Sequence, residues 1–500
     1  MTTVCEGSAA DRSGVAEPAG IPRWSETLFP HPPGRKPFVG DLRRIRGVAP
    51  VQTITRRLAG MGPVCEFLAF GRRVTLVTRA DVAAELCDDS RFVKALPPGL
   101  VALRRTAGDG LFTAYSDEPN WRLAHGLLLP AFSKPAMRAY HDTMNAVADE
   151  LIGRWDGAAR AGRTVEVSAD LTRTTLETIA RCAFSTDFGS FTSDEQHPFV
   201  AAMISSLKGG QRFAALSAIP AVGARLALRA ERRDGEHRAY VNAMLDDMIA
   251  ARRSQPPAAV ARELDSGRDV GRGPEGDLLG IMLGTTHPAT GERLSDQNIR
   301  YQILTFLVAG HETTSGTLSF ALHYLARNPE VLARAVAEVD QVLGLEPGAV
   351  PSFEQVAKLR YVRRVIDETL RLWPTAPAFA RSPREATVVG GRWLMEPDDM
   401  ALILLTAVHR DPAVWDDPER FDPDRFLPAA VHARPAHAYT PFGTGERACI
   451  GRQFALHESV LVLARLLHRY AIEADPSYAL SVTERLTLMP RGFRLGLVRR

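Results

Sequence analysis

Pro441-Phe442-Gly443-Thr444-Gly445-Glu446-Arg447-Ala448-Cys449-Ile450-Gly451 decides how this chain is read. It is a glycine-punctuated loop carrying one cysteine, and a helical-looking run follows at once from Arg452. The glycines let backbone N–H groups come close to the sulfur. The helix N-terminus just beyond carries partial positive charge, which stabilises an anion. Both features favour the thiolate, the form in which cysteine ligates a metal. Arg447, just before the cysteine, offers a fixed positive charge to an anionic group nearby.

Composition narrows the class. The chain has 500 residues, 45% hydrophobic and 24% charged, the balance of an ordinary globular protein. A net charge of +3 argues against nucleic acid as the main partner. The five cysteines, Cys5, Cys65, Cys87, Cys182 and Cys449, are scattered and include no CxxC pair. That pattern points to a reducing compartment, without a disulfide framework or a zinc site. Residues 1–37 are rich in Gly, Pro, Ala and Ser, with no membrane-length apolar run and no signal-peptide core. They are expected to form a disordered extension ahead of a single domain, 38–500, in the cytoplasm.

Periodicity gives the fold class. Residues 64–77 read as two short strands around a glycine turn. Stretches 81–86, 116–129, 142–160, 170–184 and 233–253 read as helices, 351–372 as two more, and 452–470 as a last long one. Residues 255–276 have the composition of a surface loop. Residues 387–405 alternate as strands with Gly390-Gly391 as a hairpin turn. The apolar run 296–326 could cross a whole domain at about 1.5 Å per residue. Gln302, His311, Glu312 and His323 within it would be costly in a bilayer, so it is expected to be a buried central helix ended by Asn328-Pro329. Helix dominates, with small β-sheets and no βαβ repeat: a mainly α, α+β chain.

Three further groups of residues carry chemistry. Ala309-Gly310-His311-Glu312-Thr313-Thr314 sets an acid beside an alcohol within the long helix, a pair able to relay protons. Its glycine costs about 1 kcal/mol against alanine, a cost with a use if something flat must approach the backbone. Glu368 and Arg371 stand three apart on one helix face, and Arg425 supplies a third charge downstream. Trp121 and His125, four apart, both offer N–H donors on one face.

The loop from Phe442 to Gly451, F-G-x-G-x-R-x-C-x-G, resembles the haem-binding loop of the cytochromes P450, and the other motifs fall in that family's order. The resemblance implies haem b, with Cys449 as the thiolate ligand of its iron and Phe442 in the same loop. It places Arg447, Trp121, His125 and Lys94 at the haem propionates. It matches Glu312 and Thr313 to the acid–alcohol pair that delivers protons in oxygen activation, and Glu368, Arg371 and Arg425 to a structural triad beneath the loop. The chain is most similar to bacterial fatty-acid hydroxylases fused to their own flavin reductase. In that class Phe112 stands over the haem, with Ala309 and Ala376 beside the substrate. Phe67 and Arg72 match a channel-mouth phenylalanine and a carboxylate-binding arginine. The tyrosine partnering that arginine is Leu76 here.

The expected function is insertion of one oxygen atom from O2 into an apolar substrate, a fatty acid or acyl-type metabolite. The chain ends soon after Cys449, so the electrons are expected from a separate ferredoxin or flavodoxin with its reductase. Two other readings stay open: a peroxygenase using hydrogen peroxide, which the Glu312-Thr313 pair argues against, and a non-catalytic haem sensor or carrier.

Overall fold

Residues 64–77 form the expected hairpin, β1 (Val64–Ala69) and β2 (Arg72–Val77), around Gly71 at φ 75°. The structure is a computed structural model that describes residues 20–37, 40–41, 55, 58, 60–69, 71–193, 197–217, 223–254, 276–288, 290–484 and 486–500. With β3 (Phe92–Ala95), β4 (Ala378–Pro383) and β5 (Ala401–Leu404) the hairpin makes a five-stranded sheet in the order β1-β2-β5-β4-β3. β2 and β5 run parallel; the other neighbours are antiparallel. Gly390 and Gly391, at φ 59° and 66°, turn the small hairpin Thr387–Val389/Trp393–Met395, as the left-handed turn required.

The rest is helical. The elements used below are α1 (Pro119–Leu128), α2 (Lys134–Arg160), α3 (Val167–Phe184), α4 (Asp296–Arg327), α5 (Arg360–Leu372) and α6 (Arg452–Arg469). α4 is the expected long central helix. Ser295 caps it by accepting the Asn298 N–H, and Asn328-Pro329 ends it. It is buried on nearly every side, from Ile299 through Leu325, as a helix apolar all round should be. No helix among the described residues is long and apolar enough to cross a membrane. α2 starts earlier than expected because Pro135 sits in its first turn, where a missing N–H costs nothing. The helices around residues 198–254 are also longer than read, Pro198–Ser217 and Gly223–Ser254.

One expectation needs correction. The extension ends well before residue 37: Trp24 and Phe29 are buried, and Trp24, Phe29 and Trp393 stack edge-on with centroids 5.0 to 6.0 Å apart. Residues 1–19, expected to be disordered, lie outside the described residues, as does nearly all of the loop 255–276. Gly310 has a packing reason in the fold. A Cβ there would sit 2.9 Å from Ile179 Cγ1 of α3, so the glycine lets α3 and α4 close on each other.

Candidate functional site

The cysteine loop is built from short local bonds. Gly443 and Gly445 adopt φ 69° and 66°, and the Cys449 N–H donates to Phe442 O at 2.8 Å. Arg452, at the start of α6, lies over the Phe442 ring at 5.8 Å. Cys449 lies deep in the fold yet keeps an accessible surface. Burial pushes its thiol up, while the Gly451 N–H and the charge of Arg452 pull it down. A bound metal ion reverses such a balance by taking the thiolate outright.

Phe132 ties this loop to the central helix. Its ring edge is 3.8 Å from the Cβ position of Gly451, and it stacks on Phe306 of α4 at 5.7 Å. One turn on from Phe306, Ala309 is exposed, and the Thr313 hydroxyl on the same face donates to Ala309 O at 2.7 Å. Glu312 is turned aside and buried, its Oε2 accepting from the Thr487 hydroxyl at 3.0 Å. Thr487, missed in the sequence, reaches Glu312 from the turn before strand Leu488–Pro490. Ala376, ahead of β4, is exposed like Ala309.

The segment around Phe112 is clamped from two sides. Arg447 donates to Leu111 O and Ala114 O at 3.1 and 2.8 Å, and the Leu111 N–H donates to Gln302 of α4 at 3.0 Å. Lys94 of β3 donates to Phe112 O and lies 5.0 Å over the Phe112 ring. Trp121 and His125 stack on α1 at 5.0 Å, and Arg447 lies over Trp121 at 4.5 Å. Arg381 of β4 completes the group; sequence reasoning missed it because nothing local marks it. It is 2% exposed and donates to Thr444 Oγ1 in the cysteine loop at 3.0 Å.

These cations are crowded. Burial first, then Arg447 and Arg381, push the Lys94 ammonium down to about 7. Burial pushes the Arg447 guanidinium down to about 10, with Arg381 adding to the shift and Glu446 opposing it. Burial and Arg447 also lower His125. Buried positive groups that depress one another fit a ligand bearing negative charge, and the two carboxylates of a haem would supply it. The residues present thus fit haem: a sulfur with an accessible surface on one side and a cation-rich edge on the other.

On α5, Glu368 and Arg371 are both fully buried and joined by a forked pair at 2.7 and 2.8 Å. Arg371 also donates to His409 O, Pro418 O and Arg420 O, and the Asp422 N–H donates to Glu368. Burial pushes the Glu368 carboxyl up; Arg371 pulls it down. Arg425 is the outlying member, its Nε 3.6 Å from Glu368.

The hairpin residues stand apart from this cluster. Phe67 pairs with Val74, Ala69 with Arg72 and Cys65 with Leu76, so Arg72, Phe67 and Leu76 share one sheet face. Phe67 and Leu76 are buried together with Leu58 and Leu404; Arg72 is exposed.

The comparisons with known proteins agree with this geometry. The family model described as Cytochrome P450 matches residues 30–496. A bifunctional cytochrome P450/NADPH–P450 reductase of Bacillus cereus is 39% identical over 95% of this chain and 42% of its own length. A second from Bacillus subtilis is 40% identical over 89% of this chain and 40% of its own. A self-sufficient cytochrome P450 monooxygenase of Exserohilum turcicum is 38% identical over 94% and 42%. The chain therefore spans about two fifths of the length of these relatives. A cysteine loop joined through Phe132 to a long buried helix, together with a family match over nearly the whole chain, gives one conclusion: this protein belongs to the cytochrome P450 family.

Proposed function

We propose that the protein is a haem-thiolate monooxygenase that inserts one oxygen atom from O2 into a fatty acid or another acyl-type substrate, by hydroxylation or epoxidation. The observation carrying this is the pairing of an accessible Cys449 with a cation-crowded edge formed by Lys94, Arg381 and Arg447. Cys449 would hold the haem iron; Arg447, Lys94, Trp121 and His125 would hold the propionates. Haem, when bound, supplies the one-electron and oxygen chemistry that no side chain can perform.

The chain's own residues do the rest. Ala309, Ala376 and Phe112 would shape an apolar space for the substrate. Thr313 would hold a proton at its hydroxyl, and Glu312 would resupply it from the buried side of α4. The Thr487 hydroxyl holds that carboxylate on the buried side of α4. Phe67 and Arg72 would form the outer end of the substrate path. Leu76 stands on the Arg72 face and offers no hydroxyl, so the carboxylate would rest on Arg72 alone. Electrons would come from a ferredoxin or flavodoxin acting as a separate protein; the bifunctional relatives are named for a reductase of their own.

The test is an optical titration of purified ferric protein with a long-chain fatty acid and its methyl ester. A Soret shift with the acid and not the ester supports a lipid channel gated by Arg72. No shift with either sinks the acyl-substrate reading. Turnover with hydrogen peroxide far exceeding turnover with ferredoxin or flavodoxin and a reductase would sink the monooxygenase reading.

A further inference from the structure

We propose that Asp89 is a positioning residue that locks the cysteine loop from outside the loop. Asp89 follows the short helix Ala80–Glu85 and is far from Cys449 in sequence. Its Oδ2 accepts the Glu446 N–H at 2.9 Å, and its Oδ1 accepts from Arg381 at 2.8 Å. Arg381 in turn grips Thr444 through its hydroxyl at 3.0 Å. The same carboxylate thus holds the loop twice, at Glu446 directly and at Thr444 through Arg381.

The loop's sequence is shaped around this contact. A Cβ on Gly445 would fall 1.6 Å from Asp89 Oδ2, and Gly445 stands at φ 66°. Glycine is therefore needed there twice over, for the left-handed turn and for the approach of the carboxylate. The turn Gly445–Arg447 that Asp89 fixes runs directly into Cys449. Asp89 also places one negative charge against a guanidinium that presses on Lys94 and Arg447. Removing it would leave Arg381 without its carboxylate and the Glu446 N–H without its acceptor, so that the turn before the cysteine is held from its Arg447 end alone.

The inference rests on Cys449 being the haem ligand, and the experiment separates the two. The holoenzyme is reduced under carbon monoxide, and the conversion of its thiolate-ligated band to the thiol-ligated band is followed in mild denaturant. Wild-type protein with no thiolate-ligated band would sink the ligand assignment itself. Given that band, Asp89→Ala should convert at least about tenfold faster than wild type, since it loses two charge-assisted hydrogen bonds and one alone is worth about that factor. Asp89→Asn, which can still accept from Glu446, should fall between the two. Asp88→Ala, which loses exposed contacts to Ser90 and Arg91 and none to the cysteine loop, should match wild type. A rate for Asp89→Ala equal to that of Asp88→Ala overturns the inference. If Asp89→Ala takes up no haem, the Asn variant carries the test: its rate must exceed that of Asp88→Ala. Adding Gly445→Ala to Asp89→Ala should cost less than the two single changes summed, because both break one contact; full additivity would also overturn it.

Discussion

The Thr487 hydroxyl donates to Glu312 Oε2 across 3.0 Å, joining the turn before strand Leu488–Pro490 to the middle of the central helix. Both residues are buried. Thr487→Val should leave the carboxylate short of a donor and cost about 1–3 kcal/mol of stability, with a modest loss of product per electron. Thr313→Ala, which removes the proposed proton donor, should lower product per electron by about a hundredfold, the low end of general acid–base effects. Product and electron consumption measured together in a reconstituted assay check both. Unchanged coupling in Thr313→Ala would remove Thr313 from the proton path.

Glu368→Ala leaves Arg371 charged, buried and without its fork. Breaking such a pair costs about 3–5 kcal/mol, and the cysteine loop should no longer take up haem. Arg425→Ala should be milder, because Arg425 is partly exposed and 3.6 Å away. Haem content per mole of purified protein is the measurement. Soluble, fully loaded Glu368→Ala protein would contradict the triad's role.

Arg72 is exposed, so solvent screens it. Its interaction with a carboxylate is worth no more than about 1 kcal/mol, or about fivefold in affinity. Arg72→Ala should therefore weaken binding of a fatty acid up to that limit and leave its methyl ester unaffected, as read by optical titration. Equal weakening of acid and ester would assign Arg72 a packing role instead.

Glu458 of α6 is fully buried, and its carboxylate oxygens have no hydrogen-bond partner among the described residues. The nearby Thr178 hydroxyl donates to Thr174 O instead. Burial pushes the Glu458 carboxyl up to about 8. The folded protein thus keeps a proton that the unfolded chain releases near the ordinary glutamate value of 4.5. Stability from this group is full below the unfolded value and is lost as pH rises to about 8. Glu458→Gln, which cannot ionise, should gain in melting temperature over wild type as pH rises from 5 to 8. A melting difference that stays flat across that window would contradict the assignment.

Gly310 tests the packing of α3 on α4. Gly310→Ala should destabilise the protein by about 1–3 kcal/mol, the scale of an overpacked core. Ile179→Ala removes the Cγ1 that a Cβ there would meet at 2.9 Å. Thermal melts of the two variants and their combination should show the double mutant better than the sum of the singles.

Much of this protein was legible in its sequence. The cysteine loop, the central helix with its cap and its proline stop, the 64–77 hairpin and the Gly390-Gly391 turn all depend on neighbours close in the chain. Such signals are local: glycine conformations, helical periods and strand alternation. The Glu368/Arg371 pair is three residues apart on one helix and could be read the same way.

Other features depend on chain segments that meet only in the folded state. Asp89 reaches Arg381 across 292 residues and Glu446 across 357, and Thr487 reaches Glu312 across 175. No spacing rule marks such partners, because each is an ordinary polar residue until burial makes its hydrogen bond costly to lose. Gly310 was legible as costly in a helix, but only the position of Ile179 explains it. The sequence determined where the thiol would stand and which helix would face it. The tertiary structure decided which distant charges hold it there, because buried charges and polar groups need partners and only folding brings those partners within reach.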